Sequence, residues 1–392
     1  MEMVILTVLL QLPVLCGTTS AGYLEGDTFE CRSDAPCRVP IASDNTFTLK
    51  CGNQSENASV YWQYVDTSNT HTRPVTFLQS SGSLRSEEDD LDYHLQMKIK
   101  SLASRSSLNS GHLKILSPKV EDTGLYICKA GWGIPARYEV DVQDVTTLHI
   151  THAGLRQNPL SSSAMDVGNE NTVEIYTVWS QWQACDRCGA QGERKKVGFC
   201  YAEISRDALL VSRPQPCGLL RTTFRDVQIN HPVELRIEMC QEDCKQDPST
   251  RKQESLIELV ENIHTYQLMD AVLTCPRSSI YRPVYWEHDS SPITRLQILT
   301  STSSYTLDNS TGGGTLYIHQ LDGTTAGTYH CYMERNLVKS FQVMFPEVKK
   351  EEEEKGFTIM ELILVVLGVC LFSYMIFSLC QVLRTIRPRV IP

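Results

Sequence analysis

One spacing pattern, present twice, constrains this 392-residue chain more than anything else in it. Cys51 is followed by Trp62, by the alternating pair Leu113-x-Ile115, and by Asp122-Thr123-Gly124-Leu125-Tyr126-Ile127-Cys128. The pattern returns as Cys275, Trp286, Leu316-x-Ile318 and Thr325-Ala326-Gly327-Thr328-Tyr329-His330-Cys331. The interval from Cys to Trp and the offsets of Gly, Tyr and the second Cys are the same in both copies. A lone Cys and Trp at this spacing is a chance event in many chains, whereas its recurrence with five further matched positions argues for a folding unit used twice. One position departs: Thr325 stands where the first copy has Asp122.

These residues resemble the immunoglobulin superfamily. The resemblance implies two β-sandwiches, each with sheets about 10 Å apart, crossed by a disulfide beside a buried Trp. It assigns Cys51 to Cys128 and Cys275 to Cys331. It also implies a tyrosine corner at Tyr126, a turn at Gly124, and a salt bridge from Asp122 to Lys100 or Arg105. The long interval from Trp62 to Cys128 leaves room for the extra C′ and C″ strands of a variable-type domain, and the second copy is shorter. Trp132, between Gly131 and Gly133, occupies the place of the third hypervariable loop. It is either a candidate partner-binding tip or an aromatic folded back on the sheet. Gly312-Gly313-Gly314 precedes a strand pattern, so it reads as a hairpin turn and not a phosphate loop, which requires a following helix.

The ends of the chain carry targeting signals. Residues 1–21 read as a secretory signal peptide, apolar from Met3 to Leu15 apart from Thr7, Gln11 and Pro13 and followed by small residues, although the n-region holds Glu2 and no basic residue. Leu362 to Leu383 is an apolar run long enough to cross a bilayer, and the expected transmembrane helix covers 357–383. Arg384, Arg387 and Arg389 follow it, which places the tail 384–392 in the cytosol. Of the 15 cysteines, Cys16 falls in the signal and Cys370 and Cys380 in the apolar run, leaving an even number outside the cell. Cys31 and Cys37 are close enough in sequence to close a small loop. Sequons at Asn53, Asn57 and Asn309 are candidate N-glycosylation sites.

Between the two copies, Trp179-x-x-Trp182-x-x-Cys185 runs into Cys188-Gly189 and then Arg194, Lys196 and Cys200. This resembles a thrombospondin type 1 repeat in divergent form: Cys185 and Cys188 stand closer together than that family usually has them. The resemblance implies a cation-π ladder of Trp179 and Trp182 with Arg194 and Lys196. It also implies the pairs Cys185–Cys240, Cys188–Cys244 and Cys200–Cys217, and C-mannosylation of Trp179. A unit this small needs disulfides in place of a hydrophobic core. Cys185-x-x-Cys188 with Cys240-x3-Cys244 also has the look of a zinc or redox site, and a secreted location argues against both.

The expected organisation is therefore a signal at 1–21, a V-type domain at 22–145, a polar linker at 146–172, the disulfide module at 173–250, and a second immunoglobulin-like domain at 251–345. A charged stalk at 346–356 and the membrane helix follow. The fold class is mainly β. A net charge of −10 with no basic block beyond Arg194-Lys195-Lys196 gives nucleic-acid binding little support. The histidines form no His-Glu-x-x-His motif, and there is no Gly-x-Ser-x-Gly elbow. The sequence thus reads as a cell-surface protein of the plasma membrane, without cofactor, metal or catalytic residues, that binds an unknown protein. A subunit acting in cis within a membrane complex is the alternative. Glycosaminoglycan binding through Arg194-Lys195-Lys196 is a weaker one, opposed by the acidic balance. As a whole the chain resembles the immunoglobulin V-type membrane proteins catalogued as "family with sequence similarity 187".

Overall fold

A computed structural model describes residues 23–25, 27–31, 35–52, 59–68, 73–80, 92–131, 133–168, 171–206, 210–211, 213–220, 229–244, 260–266, 268–301, 303–345 and 359–386. The signal, Asn53, Asn57, Trp132, the stalk and the last six residues lie outside them. The chain divides into two units, Met1–Phe345 and Pro346–Pro392.

In the first sandwich, alternation of apolar and polar residues selects which side of each strand faces inward. One sheet runs Tyr23–Glu25, Thr28–Glu30, Phe47–Leu49, His112–Ile115, Ser106–Asn109. The other runs Cys37–Ala42, Gly133–Gln143, Gly124–Ala130, Val60–Val65, Val75–Gln79. Cys37–Ala42 pairs in parallel with Gly133–Gln143. Cys51 and Cys128 are bridged across the core, beside the fully buried Trp62, whose indole N–H donates to Gly111 O at 3.1 Å. Tyr126 donates back to Asp122 O at 2.7 Å. Gly124 lies so close to Tyr64 that a Cβ there would meet the ring at 2.6 Å. Asp122 is buried and takes two hydrogen bonds from the Arg105 guanidinium, at 2.8 and 2.9 Å.

The long interval from Trp62 to Cys128 suggested C′ and C″ strands between Val60–Val65 and Ser106–Asn109. One strand, Val75–Gln79, is present there among the described residues, and a 12-residue helix, Tyr93–Ser104, follows. The helix buries Ile99 and Leu102 and leaves Tyr93 and Met97 in solvent. Lys98, from its inner edge, reaches Asp66 at 2.9 Å.

The second sandwich repeats the plan. Val260–His264, Asn336–Met344, Gly327–Met333, Val284–His288 and Ser291–Ile293 form one sheet, facing Ala271–Thr274, Thr315–Ile318 and Tyr305–Leu307. Cys275 and Cys331 are bridged. Trp286 donates to Gly313 O at 2.9 Å, the counterpart of the Trp62 bond to Gly111, so the glycine turn receives the core indole. Tyr329 donates to Thr325 O at 2.5 Å. Thr325 takes the place of Asp122 without an arginine: its hydroxyl accepts from the Asp322 amide at 2.8 Å. Val260–His264 is a strand in parallel register with Ser340–Met344.

The intervening chain corrects two further expectations. The polar stretch 146–172 is not a free linker: His149–His152 pairs in parallel with Glu234–Ile237, and Ser163–Asp166 pairs with Thr172–Ile175. Edge strands need few apolar residues because their backbone groups are satisfied by the sheet. Nor does the disulfide module lack a core. Its 16-residue strand Gln191–Arg206 packs Val197 and Phe199 with Val233, Leu235 and Ile237 on one face. Val173, Ile175, Ala202 and Leu220 gather around the Cys200–Cys217 bridge on the other. The first of these clusters takes in Ala42 and Val145 from the first sandwich and Ile280 and Tyr281 from the second, so the small module borrows apolar surface from both neighbours.

The second unit is one helix, Ile359–Ile386. Its stretch Met360–Thr385 has mean hydropathy 2.6 and is long and apolar enough to cross a membrane. Cys370 and Cys380 on it are exposed thiols.

Candidate recognition groove at the junction of three modules

Strand alternation decides where the basic run of the middle module points. Arg194 and Lys196 leave one face of Gln191–Arg206, and Lys195 leaves the other. On the first face Lys196 Nζ lies 4.8 Å from the ring centroids of both Trp179 and Trp182, and the Arg194 guanidinium lies 5.1 Å from Trp182. The stack therefore runs Trp179, Lys196, Trp182, Arg194, and it is closed by an ion pair from Arg194 to Glu238. Burial, then the nearby Arg236, holds the Lys196 amine below its usual range.

On the opposite face Lys195 is 7% exposed and donates to Gly312 O of the second sandwich at 2.9 Å. Burial, then Arg295, pulls its amine down to about 7. The three cations considered for a glycosaminoglycan are thus split: two are engaged by indoles and one is sealed in an interface. Beside Lys195, Glu193 accepts from the amides of Arg295 and Leu296 at 2.9 and 3.0 Å, capping a helix, Arg295–Thr300, that belongs to another module. Burial raises the Glu193 carboxyl, but His152 and those two amides outweigh it and hold it below the usual range. Asp186, buried in the same region, is pushed up to about 6.

The junction also joins the sandwiches to each other. Asn45, 1% exposed, donates to Ser43 O and Ser310 O, both at 2.7 Å, and accepts from Ile280 N at 2.7 Å. Tyr281 OH accepts from Ala42 N at 2.7 Å, and Arg282 pairs with Asp27 at 3.0 Å. The first sandwich grips the middle sheet through Gln143, which exchanges two 2.9 Å bonds with the backbone of Cys200. Arg335 of the second sandwich bonds to Cys185 O and to Glu242.

These contacts enclose a groove of about 1070 Å³. Phe29, Val39 and Pro40 line it from the first sandwich, Trp179, Trp182 and Phe199 from the middle module, and Tyr281, Glu334 and Arg335 from the second sandwich. Such a surface can offer flat aromatic and apolar contact with charges at its edge, the composition that concentrates binding energy in protein interfaces.

The twelve cysteines from Cys31 to Cys331 are all bridged: Cys31–Cys37, Cys51–Cys128, Cys185–Cys240, Cys188–Cys244, Cys200–Cys217 and Cys275–Cys331. The one metal-like grouping among the described residues, Cys185, Asp186 and Cys240, has both sulfurs in a disulfide, so it has no thiolate to offer an ion. A triad-like contact also occurs: Thr177 Oγ1 lies 2.7 Å from His231 Nε2 and donates to Glu234. Here both groups converge on the hydroxyl, whereas a relay places the acid behind the histidine. Asn309 is exposed, with its Oδ1 3.4 Å from Arg295.

No family model matches the chain. The Ig-like V-type domain-containing protein FAM187A of Mus musculus is 23% identical over 341 residues, covering 79% of this chain and 78% of that protein. Its Rattus norvegicus counterpart is 24% identical over 344 residues with the same coverage. The chain is homologous to these proteins. A match of this length exceeds any single module, so the homology to the V-type proteins embraces more than one of them. Among solved structures, the first Ig domain of mouse polymeric immunoglobulin receptor is 18% identical, covering 28% of this chain and 92% of that one, with a TM-score of 0.21. Extracellular domains 3–5 of Drosophila OTK are 12% identical, covering 78% and 94%, with a TM-score of 0.18.

Proposed function

We propose that this chain is a single-pass type I protein of the plasma membrane whose ectodomain recognises another protein without catalysis. The observation that carries the proposal is the groove: three modules build it together, and buried hydrogen bonds fix their arrangement, so its walls are set before a partner arrives. The apolar helix supports membrane attachment, and the arginines after it support a cytosolic tail. The middle module, with its Trp and cation stack and three bridges, is read as thrombospondin type 1-like.

The test is a screen of cells displaying the full chain against a library of cell-surface ectodomains, followed by Val178→Glu. Val178 lines the groove and is 38% exposed, so the change alters the surface without opening a core. A ligand whose affinity falls tenfold or more supports the proposal, and one indifferent to V178E places recognition elsewhere. Proximity labelling that marks proteins of the same cell alone would replace recognition between cells with a role in a complex in cis.

A further inference from the structure

The second sandwich carries an apolar projection that its own core does not use. Tyr266, Leu268 and Met269 are 70%, 68% and 56% exposed. They follow one another on the turn between Val260–His264 and Ala271–Thr274, a concentration unlike the scattered single apolar residues of an ordinary surface. The backbone works against retracting them. Leu268 sits at φ +66°, a region that side chains other than glycine seldom occupy. It is held there by a 2.8 Å bond from its amide to Leu321 O, while Leu321 N donates to Met269 O at 2.9 Å.

The place of this turn in the sandwich identifies what could cover it. His264 is in register with Met344, so the turn lies at the pole where the chain leaves its last strand, and the apolar helix begins at Ile359 after a connection of 13 residues. Thirteen residues span at most roughly 45 Å even when fully extended. The polar rim of the turn carries two carboxylates, Asp270, which lies 3.2 Å from His319, and Asp322; both are held below the usual carboxylate range, chiefly by the backbone amide of Gln320 for the first and the hydroxyl and amide of Thr324 for the second. Carboxylates around an aromatic and aliphatic tip suit the choline layer of a zwitterionic bilayer and repel an anionic one.

We propose that Tyr266, Leu268 and Met269 insert into the interfacial layer of a phosphatidylcholine-type membrane surface. The proposal rests on reading Ile359–Ile386 as membrane-spanning. The test uses the full chain, with Cys370 and Cys380 replaced by serine, in phosphatidylcholine vesicles, carrying an environment-sensitive fluorophore at Leu268→Cys or, separately, Met269→Cys. Asn336→Cys, exposed at the opposite end of strand Asn336–Met344, serves as the reference. The expected result is blue-shifted emission and at least twofold quenching by lipids with a shallow nitroxide at both turn positions, with neither at the reference. Water-like emission at both turn positions overturns the proposal. So does emission shielded from water but untouched by the nitroxide lipid, which would show a second copy or another protein on the tip. Quenching that rises when phosphatidylserine is added overturns the headgroup assignment. Flotation with the vesicles separates the two readings: a chain that floats with an unquenched tip sinks this inference alone, and one that fails to float sinks the spanning helix.

Discussion

The side chain of Asn45 accepts a 2.7 Å hydrogen bond from the amide of Ile280, 235 residues away. The Nδ2 of Asn45 itself donates to Ser310 O, so one short side chain joins a turn of the first sandwich to two loops of the second. Asn45→Ala would leave the buried Ile280 amide and the part-buried Ser310 carbonyl without their partner. A buried group left without a partner costs about 1–3 kcal/mol, so a loss of about 2–4 kcal/mol is expected. Calorimetry of residues 22–345 should show one transition for the parent chain and separate ones for the variant as the modules uncouple. An unchanged profile would mean that the interface opens in solution.

Lys195 gives the junction a pH dependence of predictable sign. Its amine is held at about 7 in the folded chain, well under the ordinary value of 10.5. Between those two values the unfolded chain binds the extra proton, so stability rises as pH increases from about 7 towards 10 and is flat below. Asp186, shifted up to about 6, acts at lower pH and does not contribute to that slope. Lys195→Met should remove the slope and leave Gly312 O without its donor, at a cost of about 1–3 kcal/mol. Guanidinium unfolding at pH 7, 8 and 9 measures both effects.

The two sandwiches depend on different groups at the equivalent position, and each should be destabilised when its own is altered. Arg105→Ala leaves the buried Asp122 carboxylate uncompensated, a loss of about 3–5 kcal/mol, and Arg105→Lys should restore only part of it because it cannot make the two-pronged contact. Thr325→Asp, which would make the second copy look like the first, should destabilise it: the hydroxyl that bonds Asp322 is lost and a carboxylate is set beside that one. Thermal unfolding of the three variants decides the matter, and a stabilised T325D would contradict it.

Asn309 should carry a glycan. Its side chain is exposed, while the backbone of Ser310 beside it is engaged by Asn45. Asn309→Gln is expected to remove one step of the mobility shift produced by N-glycanase without changing the melting temperature by more than about 3 °C, the scale of a surface substitution.

How much of this was legible beforehand depended on whether a residue's role is set locally. The sandwiches were readable because the separation of two sheets dictates the disulfide, the buried Trp beside it and the tyrosine that bonds back four residues in each copy. The alternation of Arg194 and Lys196 opposite Trp179 and Trp182 is equally local, since strand geometry puts every second residue on one face. The helix Tyr93–Ser104 was hidden because it buries only Ile99 and Leu102, too few to mark a stripe. The strands within 146–172 were hidden because an edge strand is satisfied by backbone pairing. The junction had no signal at all: Asn45, Glu193 and Lys195 look like ordinary surface residues until partners from another module arrive.

Tension applied to the N-terminal sandwich would therefore have two routes to the second sandwich, one along the covalent path of the middle sheet and one straight across the Asn45 and Tyr281 contacts. The load would be shared between them, and the aromatic cleft would yield only when both give way together.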